Sequence, residues 1–252
     1  MKRGQMDAKI AEKKIISFIS SYFKSCGKKT AIVGLSGGLD SAATLALCVR
    51  ALGKKNVLAS LLPSSSTPAR DILDARLLAK KFGVKTVSAP IGQILGSFGS
   101  FTSSKLSSAN LSARIRMAIL YSLAQKQNGL VVGTGDKSEF MLGYFTKHGD
   151  GGADLFPLAD LYKTEVRKLA ISLGVPSAMA NKPPSPALWK GQTAEAELGF
   201  SYEAADEILR AIESGQPRTS MEKKFGKKTV SAILTRMEKN RHKLLPAPVC
   251  RI

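Results

Sequence analysis

The chain has 252 residues, carries a formal net charge of +19 and is 44% hydrophobic, which is enough apolar material for one large α/β domain. No apolar run approaches the length of a membrane span, which excludes a transmembrane segment. The basic balance suits polyanionic ligands, but the lysines are scattered and aromatic residues make up only 6%, without the aromatic–basic interleaving that stacks bases. A solvated basic surface is therefore favoured over a nucleic-acid interface.

The N-terminus and the cysteines bear on location in the cell. Residues 1–14 are charged and lack the apolar core of a signal peptide. Cys26, Cys48 and Cys250 show no metal-binding or redox spacing, which fits a reducing compartment. We therefore predict a cytoplasmic protein.

Strand and helix patterns alternate along the first half of the chain. Repeated β–α–β units at this spacing predict an α/β fold, namely a Rossmann-like parallel β-sheet with helices on both faces. The Ser- and Gly-rich residues 96–108 are predicted to form a loop. In chain order, the predicted helices (α) and strands (β) lie at about 7–25 (α), 30–33 (β), 42–52 (α), 56–62 (β), 68–82 (α), 85–88 (β), 109–127 (α) and 130–134 (β).

The second half carries two segments without a strand pattern. Residues 181–186 are too rich in proline for a helix or a strand. Residues 214–227 are polar and are predicted to form a mobile connection or lid, before a C-terminal helix that ends near residue 243. We predict a single domain, with a core at about 28–190 and a helical extension at about 191–252.

A glycine-rich loop joins the first predicted strand to the next helix: Gly34-Leu35-Ser36-Gly37-Gly38-Leu39-Asp40-Ser41. The unpaired backbone N–H groups and the helix dipole at such a junction form a site for phosphate. Asp40 would by itself repel phosphate, so its presence predicts a divalent cation between its carboxylate and the phosphate groups. Ser64 and Thr134 also follow predicted strands, at the edge where parallel sheets bind their ligands.

This loop differs from the common P-loop, since no Gly-Lys-Ser or Gly-Lys-Thr sequence occurs in the chain. The pattern Ser-Gly-Gly-x-Asp-Ser at 36–41 resembles the pyrophosphate loop of ATP pyrophosphatases. That resemblance implies an adenine nucleotide alpha hydrolase-like fold. It also implies an enzyme that cleaves ATP between the α and β phosphates and activates its substrate as an adenylate.

A longer series of motifs is similar to the signature of the NAD synthetase family, enzymes that amidate nicotinic acid adenine dinucleotide (deamido-NAD) in the last step of NAD biosynthesis. The similarity covers nearly the whole chain in the family's order, whereas the glycine-rich loop alone would indicate only the superfamily. The residues that carry it are Ala113–Met117, Gly133–Glu139, Gly143–Asp154, Pro157-Leu158, Lys163, Lys182–Ser185, Glu197–Gly199 and His242-Lys243.

The resemblance implies an ATP site, a magnesium site and a site for deamido-NAD. Asp40 and Glu139 would bind Mg²⁺, and together with Lys163 they would carry the catalysis of adenylate formation. Asp150 or Asp154 is the candidate for a base that deprotonates ammonium. The implied ATP contacts are Gly34, Leu35, Ser36, Gly37, Gly38, Leu39, Asp40, Ser41, Thr134, Lys163 and Ser185, and the implied deamido-NAD contacts are Arg114, Lys147, Asp154, His242 and Lys243.

Elementary chemistry agrees with these residue types. A carboxylate cannot exchange oxide for ammonia, but transfer of AMP to it makes a mixed anhydride with a good leaving group. Attack on the α-phosphorus builds charge on the α oxygens and on the departing pyrophosphate. Hard cations held by two carboxylates, together with a lysine and the loop amides, would stabilise that charge.

Two departures from the family pattern are visible. Many members have Thr-Asp-His-Ala-Ala-Glu where this chain has Thr-Gly-Asp-Lys-Ser-Glu at 134–139, and many have Thr in place of Ser185. The carboxylate and the hydroxyl survive both changes, whereas any role of the replaced histidine is left open.

The resemblance also implies a homodimer whose dinucleotide site lies close to the subunit contact. The helices at 7–25 and 109–127 are the candidates for that contact. Because the motifs use the chain from about residue 34 onward, no room is left for a glutaminase domain. Free ammonia, or ammonia from another protein, is the expected nitrogen source.

Two other functions stay open at this point. A tRNA-modifying ATP pyrophosphatase would share the glycine-rich loop and suit the basic charge, but the sequence has no Cys-x-x-Cys pairs and no added RNA-binding region. A non-catalytic nucleotide-binding module would bind ATP without forming AMP. The presence of both Asp40 and Glu139 disfavours that module.

Overall fold

The computed structural model describes residues 6–186, 189 and 191–251. Its centre is a four-stranded sheet in the order β3-β2-β1-β4, in which every neighbouring pair is parallel. The predicted α/β fold with a parallel sheet is confirmed. The strands are β1 Thr30–Gly34, β2 Val57–Leu61, β3 Lys85–Ser88 and β4 Gly129–Val132.

Helices surround the sheet and then continue as a helical C-terminal part. Within the described residues they are α1 Ala8–Ser25, α2 Leu39–Leu52, α3 Ala69–Phe82, α4 Gly92–Ser97, α5 Lys105–Lys126, α6 Lys137–Leu142, α7 Lys163–Ser172, α8 Ser177–Ala180, α9 Ala194–Leu198, α10 Tyr202–Glu213, α11 Arg218–Phe225 and α12 Lys227–Asn240. None of these helices is both long enough and apolar enough to cross a membrane.

The central strand β1 is buried on both faces because helices cover both. Successive side chains of a strand point to opposite faces, and those of Ala31 and Val33 join the core formed with α1, α2, α3 and α7. Ile32 points the other way, where it packs against Ala124 of α5 and Val131 of β4. This double burial explains why the strand is apolar at every central position rather than at alternate ones.

The prediction of a loop at residues 96–108 is wrong for most of its length. Residues 92–97 form α4, a short 3₁₀ helix follows at Gly99–Phe101, and α5 begins at Lys105 rather than near 109. Serines do not interrupt this segment, because Ser104 caps α5: its hydroxyl accepts the amide N–H of Ser107 at 3.1 Å. The Ser-rich composition therefore marks a helix start.

The predicted connection at residues 214–227 contains a helix that its polar composition did not indicate, while its mobility stays a prediction. Residues 218–225 form α11, which begins directly after Pro217, and Met221 on its inner face is buried. Pro217 favours a helix start, and the apolar side chains of Met221 and Phe225 pack against the C-terminal cluster, which stabilises a helix whose remaining positions are polar. In contrast, residues 182–186 lie outside helices and strands, as their proline content predicts.

The C-terminal helices α9 to α12 have an apolar cluster of their own. Tyr202, Ile208, Val230 and Ile233 are fully buried in it. Leu142 at the end of α6 belongs to the same cluster, so it joins the helical part to the ends of the sheet. The proposed division into a core and an extension near residue 190 stays a prediction.

Candidate functional site

A cavity of about 610 Å³ opens at the carboxyl edge of the parallel sheet. Residues that follow three of the four strands line it: the glycine-rich loop after β1, residues 62–63 after β2 and residues 133–134 after β4. Further wall comes from α3, α5, the segment 143–152, residues 182–186 and residues 236–243. The cavity therefore lies where a parallel α/β sheet presents its ligand site.

The glycine-rich loop is held in shape by its own serines. The Ser41 hydroxyl lies 3.1 Å from the Ser36 hydroxyl, accepts the Ser36 amide N–H at 3.2 Å and donates to the Gly38 carbonyl at 3.1 Å. Gly37 has φ +83° and passes so close to α3 that an added Cβ would lie 2.3 Å from the Asp71 carbonyl oxygen. Only glycine fits there, so the backbone of the loop faces the cavity in a fixed form.

An ammonium group surrounded by carboxylates lies at the base of the cavity. Lys163 Nζ is 2.8 Å from Asp40 Oδ2, 2.8 Å from Glu139 Oε1 and 2.9 Å from Asp136 Oδ2. The Lys163 side chain is 1% exposed, and Lys163 Nζ lies 5.2 Å from the centre of the Tyr202 ring. Asp40 and Glu139 thus share one cleft, as the sequence predicts.

Three helix starts converge to build this cluster. Asp40 lies in the first turn of α2, and Lys163 is the first residue of α7. Asp136 precedes α6, where its Oδ1 accepts the Glu139 amide N–H at 2.8 Å and Glu139 Oε2 accepts the Asp136 N–H at 3.3 Å. This reciprocal capping box fixes both carboxylates.

A buried aspartate from the C-terminal part joins two of these helix starts. Asp206 of α10 accepts a hydrogen bond from the Ser138 hydroxyl and a second from the Thr164 amide N–H at 2.8 Å. Ser138 in turn accepts the Lys163 amide N–H at 2.9 Å. The positions of Glu139 and Lys163 therefore depend on a residue that is remote from them in sequence.

Burial controls the electrostatics of the cluster. It raises the pKa of Asp136 to about 7 and that of Glu139 to about 8, with repulsion between the carboxylates adding to the rise and Lys163 opposing it. Burial also works against the charge of Lys163, but Asp136, Asp40 and Glu139 outweigh it and hold the lysine pKa well above its usual value. The lysine is therefore a permanent cation.

A second lysine ties the glycine-rich loop to its surroundings. Lys182 Nζ donates to Asp71 Oδ1 and Asp74 Oδ2, each at 2.7 Å, and to the Gly37 carbonyl at 3.2 Å. The loop, α3 and the proline-rich segment thereby meet at one ammonium group. Ser185, three residues further on, lines the cavity, and its hydroxyl donates to the Gln192 carbonyl at 2.6 Å.

The residues predicted to bind the dinucleotide are more widely spaced than those of the acidic cluster. Lys243 lines the cavity and donates to the carbonyls of Gly143 at 2.8 Å and Phe145 at 3.0 Å. Lys147 donates in the opposite direction, to the carbonyls of His242 at 3.0 Å and Leu245 at 3.3 Å. The segment 143–147 and the C-terminal end are thus joined by lysine–carbonyl bonds in both directions.

Four of the five predicted dinucleotide contacts, all except Lys243, lie outside the lining of this cavity in the described chain. Arg114 is exposed, with Nε 3.3 Å from the Lys147 carbonyl, and His242 is exposed too. Asp154 Oδ2 accepts the Val131 amide N–H at 2.7 Å, which covers the edge of the sheet at β4. The other candidate base, Asp150, lines the cavity and accepts the Thr146 N–H at 2.9 Å.

Sequence reasoning missed three groups in this site. The capping-box pattern of Asp136 followed by Glu139 three positions later would have predicted Asp136 as a helix cap. Lys182 lies in a quoted motif without an assigned role. No sequence pattern indicated a site role for Tyr202, because a tyrosine at a helix start is usually a core residue. Only the fold places its ring beside the Lys163 ammonium.

The comparisons with known proteins agree with one another. The NAD synthase family model matches residues 11–247. An NH(3)-dependent NAD(+) synthetase of Methanosarcina acetivorans is 44% identical over 252 residues, covering 97% of this chain and 98% of the relative.

Two solved structures superpose over nearly the full length. The NMN synthetase from Francisella tularensis has a TM-score of 0.89 and 30% identity, and the NH3-dependent NAD synthetase from Campylobacter jejuni has a TM-score of 0.85 and 30% identity. In both cases the match covers 98% of this chain and 100% of the other. From the family match over residues 11–247, the identity to the Methanosarcina acetivorans relative and the shared fold and lengths, the chain belongs to the NAD synthase family.

Proposed function

We propose that this protein is an ammonia-dependent ligase that amidates deamido-NAD with ATP, giving NAD, AMP and pyrophosphate. The observation that carries the proposal is the meeting of Asp40, Glu139 and Lys163 within 2.8 Å contacts beside the glycine-rich loop. An ammonium group and two carboxylates at the end of a parallel sheet suit a triphosphate with its counter-ion. Family membership sets aside the tRNA-modifying alternative.

ATP would bind with its phosphates against the glycine-rich loop and the start of α2. Unpaired N–H groups at the start of α2 supply donors, and the positive end of that helix favours negative charge there. Thr134 and Ser185 line the same cavity and would supply hydroxyl contacts. Lys163 would neutralise charge that develops on the departing pyrophosphate, while Asp40 and Glu139 balance its own charge until the nucleotide binds.

The acidic cluster fits Mg²⁺. Asp40 Oδ1 is buried and has no hydrogen-bond partner among the described residues, so an oxygen ligand is available there. Mg²⁺ is usually held by one or two carboxylates together with substrate phosphates, and Asp40 with Glu139 supplies that number. When bound, the metal would neutralise phosphate charge and orient the triphosphate.

The acyl substrate would lie toward Lys243 and the segment 143–152. Lys243 and Lys147 donate to main-chain carbonyls, and both ammonium groups would exchange these contacts for polar groups of the dinucleotide. Arg114, Asp154 and His242 stay proposed contacts. Because these three lie outside the cavity of the single chain, a homodimer with α1 or α5 at its contact is part of the proposal.

One coupled assay tests the proposal. Purified protein with Mg·ATP, deamido-NAD and ammonium should form NAD and AMP in equal amounts, with no NAD formed when any component is left out. Absence of NAD at every ammonium concentration would refute the proposal. AMP formation without deamido-NAD would point to a different acceptor.

A second acyl substrate is the acid precursor of NMN. The overlap with the NMN synthetase structure, at a TM-score of 0.89, is as high as that with the NAD synthetase structure at 0.85. The two acids differ by an adenylate group, so the comparison of kcat/KM for both substrates assigns the enzyme to one product. We expect deamido-NAD to be preferred.

A further inference from the structure

Three carboxylates surround Lys163, but they face different environments. The side chains of Asp40 and Glu139 are 22% and 23% exposed, toward the cavity. Asp136 is 0% exposed, and its Oδ2 has Lys163 Nζ at 2.9 Å as its near polar neighbour. Two of the three carboxylates are therefore reachable by a ligand, and the third is not.

The charges of the cluster also distinguish Asp136 from Asp40 and Glu139. Three carboxylates and one ammonium sum to −2 when all four are ionised, which is the charge that one divalent cation neutralises. A cation that takes Asp40 and Glu139 removes both of these partners from Lys163 and repels its ammonium group. Asp136 would then be the carboxylate that still faces the lysine.

We propose that Asp136 is a positioning residue that holds the Lys163 ammonium at the cavity wall when a divalent cation takes up Asp40 and Glu139. Without it, the lysine would be pushed away from the metal with no buried partner to stop it. The inference rests on the Mg·ATP part of the proposed function and is independent of the identity of the acyl substrate.

Asp136 also has a structural role, which the test must separate. Its Oδ1 caps α6 through the Glu139 amide N–H at 2.8 Å. Asparagine caps helices as well as aspartate does, so Asp136→Asn keeps the cap and removes the charge that faces Lys163. Asp136→Ala removes both. Asp160→Asn is the matched control, because Asp160 is 73% exposed and pairs with Lys137 at 3.4 Å.

The experiment is a double-mutant cycle with Asp136→Asn and Lys163→Met, read as kcat for pyrophosphate release and as the calorimetric dissociation constant of Mg·ATP. Substituting a residue that positions a site residue through a hydrogen bond typically lowers activity by roughly 10- to 100-fold. We expect the kcat of Asp136→Asn to fall by that factor. The dissociation constant of Mg·ATP should change by less than about threefold, because the ground-state contacts of the nucleotide remain. On the Lys163→Met background, Asp136→Asn should have no further effect on either quantity.

Independent losses would overturn the inference. If the effects of the two substitutions multiply, Asp136 acts through something other than Lys163. A wild-type kcat in Asp136→Asn, or equal losses in Asp136→Asn and Asp160→Asn, would also overturn it. Failure of the proposed function would be seen separately, as a wild-type protein that neither binds Mg·ATP nor releases pyrophosphate.

Discussion

The two halves of the site are built differently. On the side proposed for the triphosphate (the triphosphate half), Lys163 and Lys182 are held by carboxylates at 2.7 to 2.9 Å. On the side proposed for the dinucleotide (the dinucleotide half), Lys147 and Lys243 donate to main-chain carbonyls that join a loop to the C-terminal end.

This difference has a physical meaning. A site for a highly charged ligand needs opposing charges already in place, and ion pairs on rigid helix starts supply them at little reorganisation cost. Lysine–carbonyl bonds are individually weak in net terms, about 0.5–1.5 kcal/mol each, so a substrate displaces them readily. We expect the triphosphate half to be preformed and the dinucleotide half to adjust on binding.

The largest effect is expected from Asp40→Asn. It removes the carboxylate that faces both Lys163 and the glycine-rich loop while keeping the size of the side chain. Asp40 would act on the developing negative charge through the Mg²⁺ that it holds, and loss of such stabilisation costs roughly 10²- to 10³-fold, so release of AMP and pyrophosphate should fall by at least that factor. Quantifying AMP by chromatography measures this effect.

The matched control for Asp40→Asn is Asp7→Asn. Asp7 caps α1 and does not line the cavity, and asparagine keeps that cap while making the same change of charge. A rate in Asp40→Asn within tenfold of this control would break the comparison, because the triphosphate half would then not depend on its charges.

Gly143→Ala tests how tightly the dinucleotide half is closed. Gly143 has φ +61°, and an added Cβ would lie 2.1 Å from the Asn240 Cβ of α12. Backbone strain of about 1 kcal/mol and overpacking of about 1–3 kcal/mol should together lower the free energy of unfolding by about 2–4 kcal/mol. Urea denaturation followed by circular dichroism measures this loss.

Gly215→Ala separates backbone strain from packing. Gly215 has φ +71° but nothing within 4 Å of an added Cβ, so this variant should lose only about 1 kcal/mol. If Gly143→Ala and Gly215→Ala lose the same free energy of unfolding, α12 moves away from the added Cβ without an energetic cost. In that case the contact between Gly143 and Asn240 does not hold the C-terminal end.

A different division, between local and long-range contacts, separates what the sequence predicts from what it does not. Strands β1 to β4 and the glycine-rich loop follow from local patterns, which depend on residues close together in sequence. That the loop and Thr134 share one edge follows from the rule that parallel strands end together. The meeting of Asp40 with Glu139 was implied by the resemblance to the NAD synthetase family.

The remaining features depend on contacts between distant segments. Asp206 reaches Ser138 across 68 positions, and Lys182 reaches Gly37 across 145. No local pattern specifies such pairs, since a lysine before two prolines or an aspartate in an amphipathic helix has many other uses. The helices within 96–108 and 214–227 were missed for the opposite reason: polar composition was given more weight than local helix-start signals, the Ser104 cap in the first segment and Pro217 in the second.

Lys182→Met should have an intermediate effect on the triphosphate half. It leaves Asp71 and Asp74 without their shared cation and frees the Gly37 carbonyl. Hydrogen bonds to charged groups contribute about 1.5–3 kcal/mol, and partial exposure of the lysine reduces this, so the KM for ATP should rise about 5- to 10-fold. Initial rates at varied ATP measure the change.

Lys80→Met is the control for that substitution. Lys80 is exposed on α3, the helix that carries Asp71 and Asp74. Its substitution removes one positive charge from the same helix as these carboxylates without removing a contact to the glycine-rich loop. An unchanged KM in Lys182→Met would mean that the loop keeps its shape through Ser36 and Ser41 alone.

The smallest effect is expected from Lys243→Met, and it sharpens the comparison most directly. Loss of its two carbonyl bonds and its charge should raise the KM for the acyl substrate about 3- to 10-fold, since each such bond contributes about 0.5–1.5 kcal/mol in net terms. The KM for ATP should stay within twofold. Lys239→Met removes an exposed charge one turn earlier and should leave both constants unchanged. A rise in the KM for ATP in Lys243→Met would mean that the C-terminal end also shapes the triphosphate half, through the cavity wall that both share.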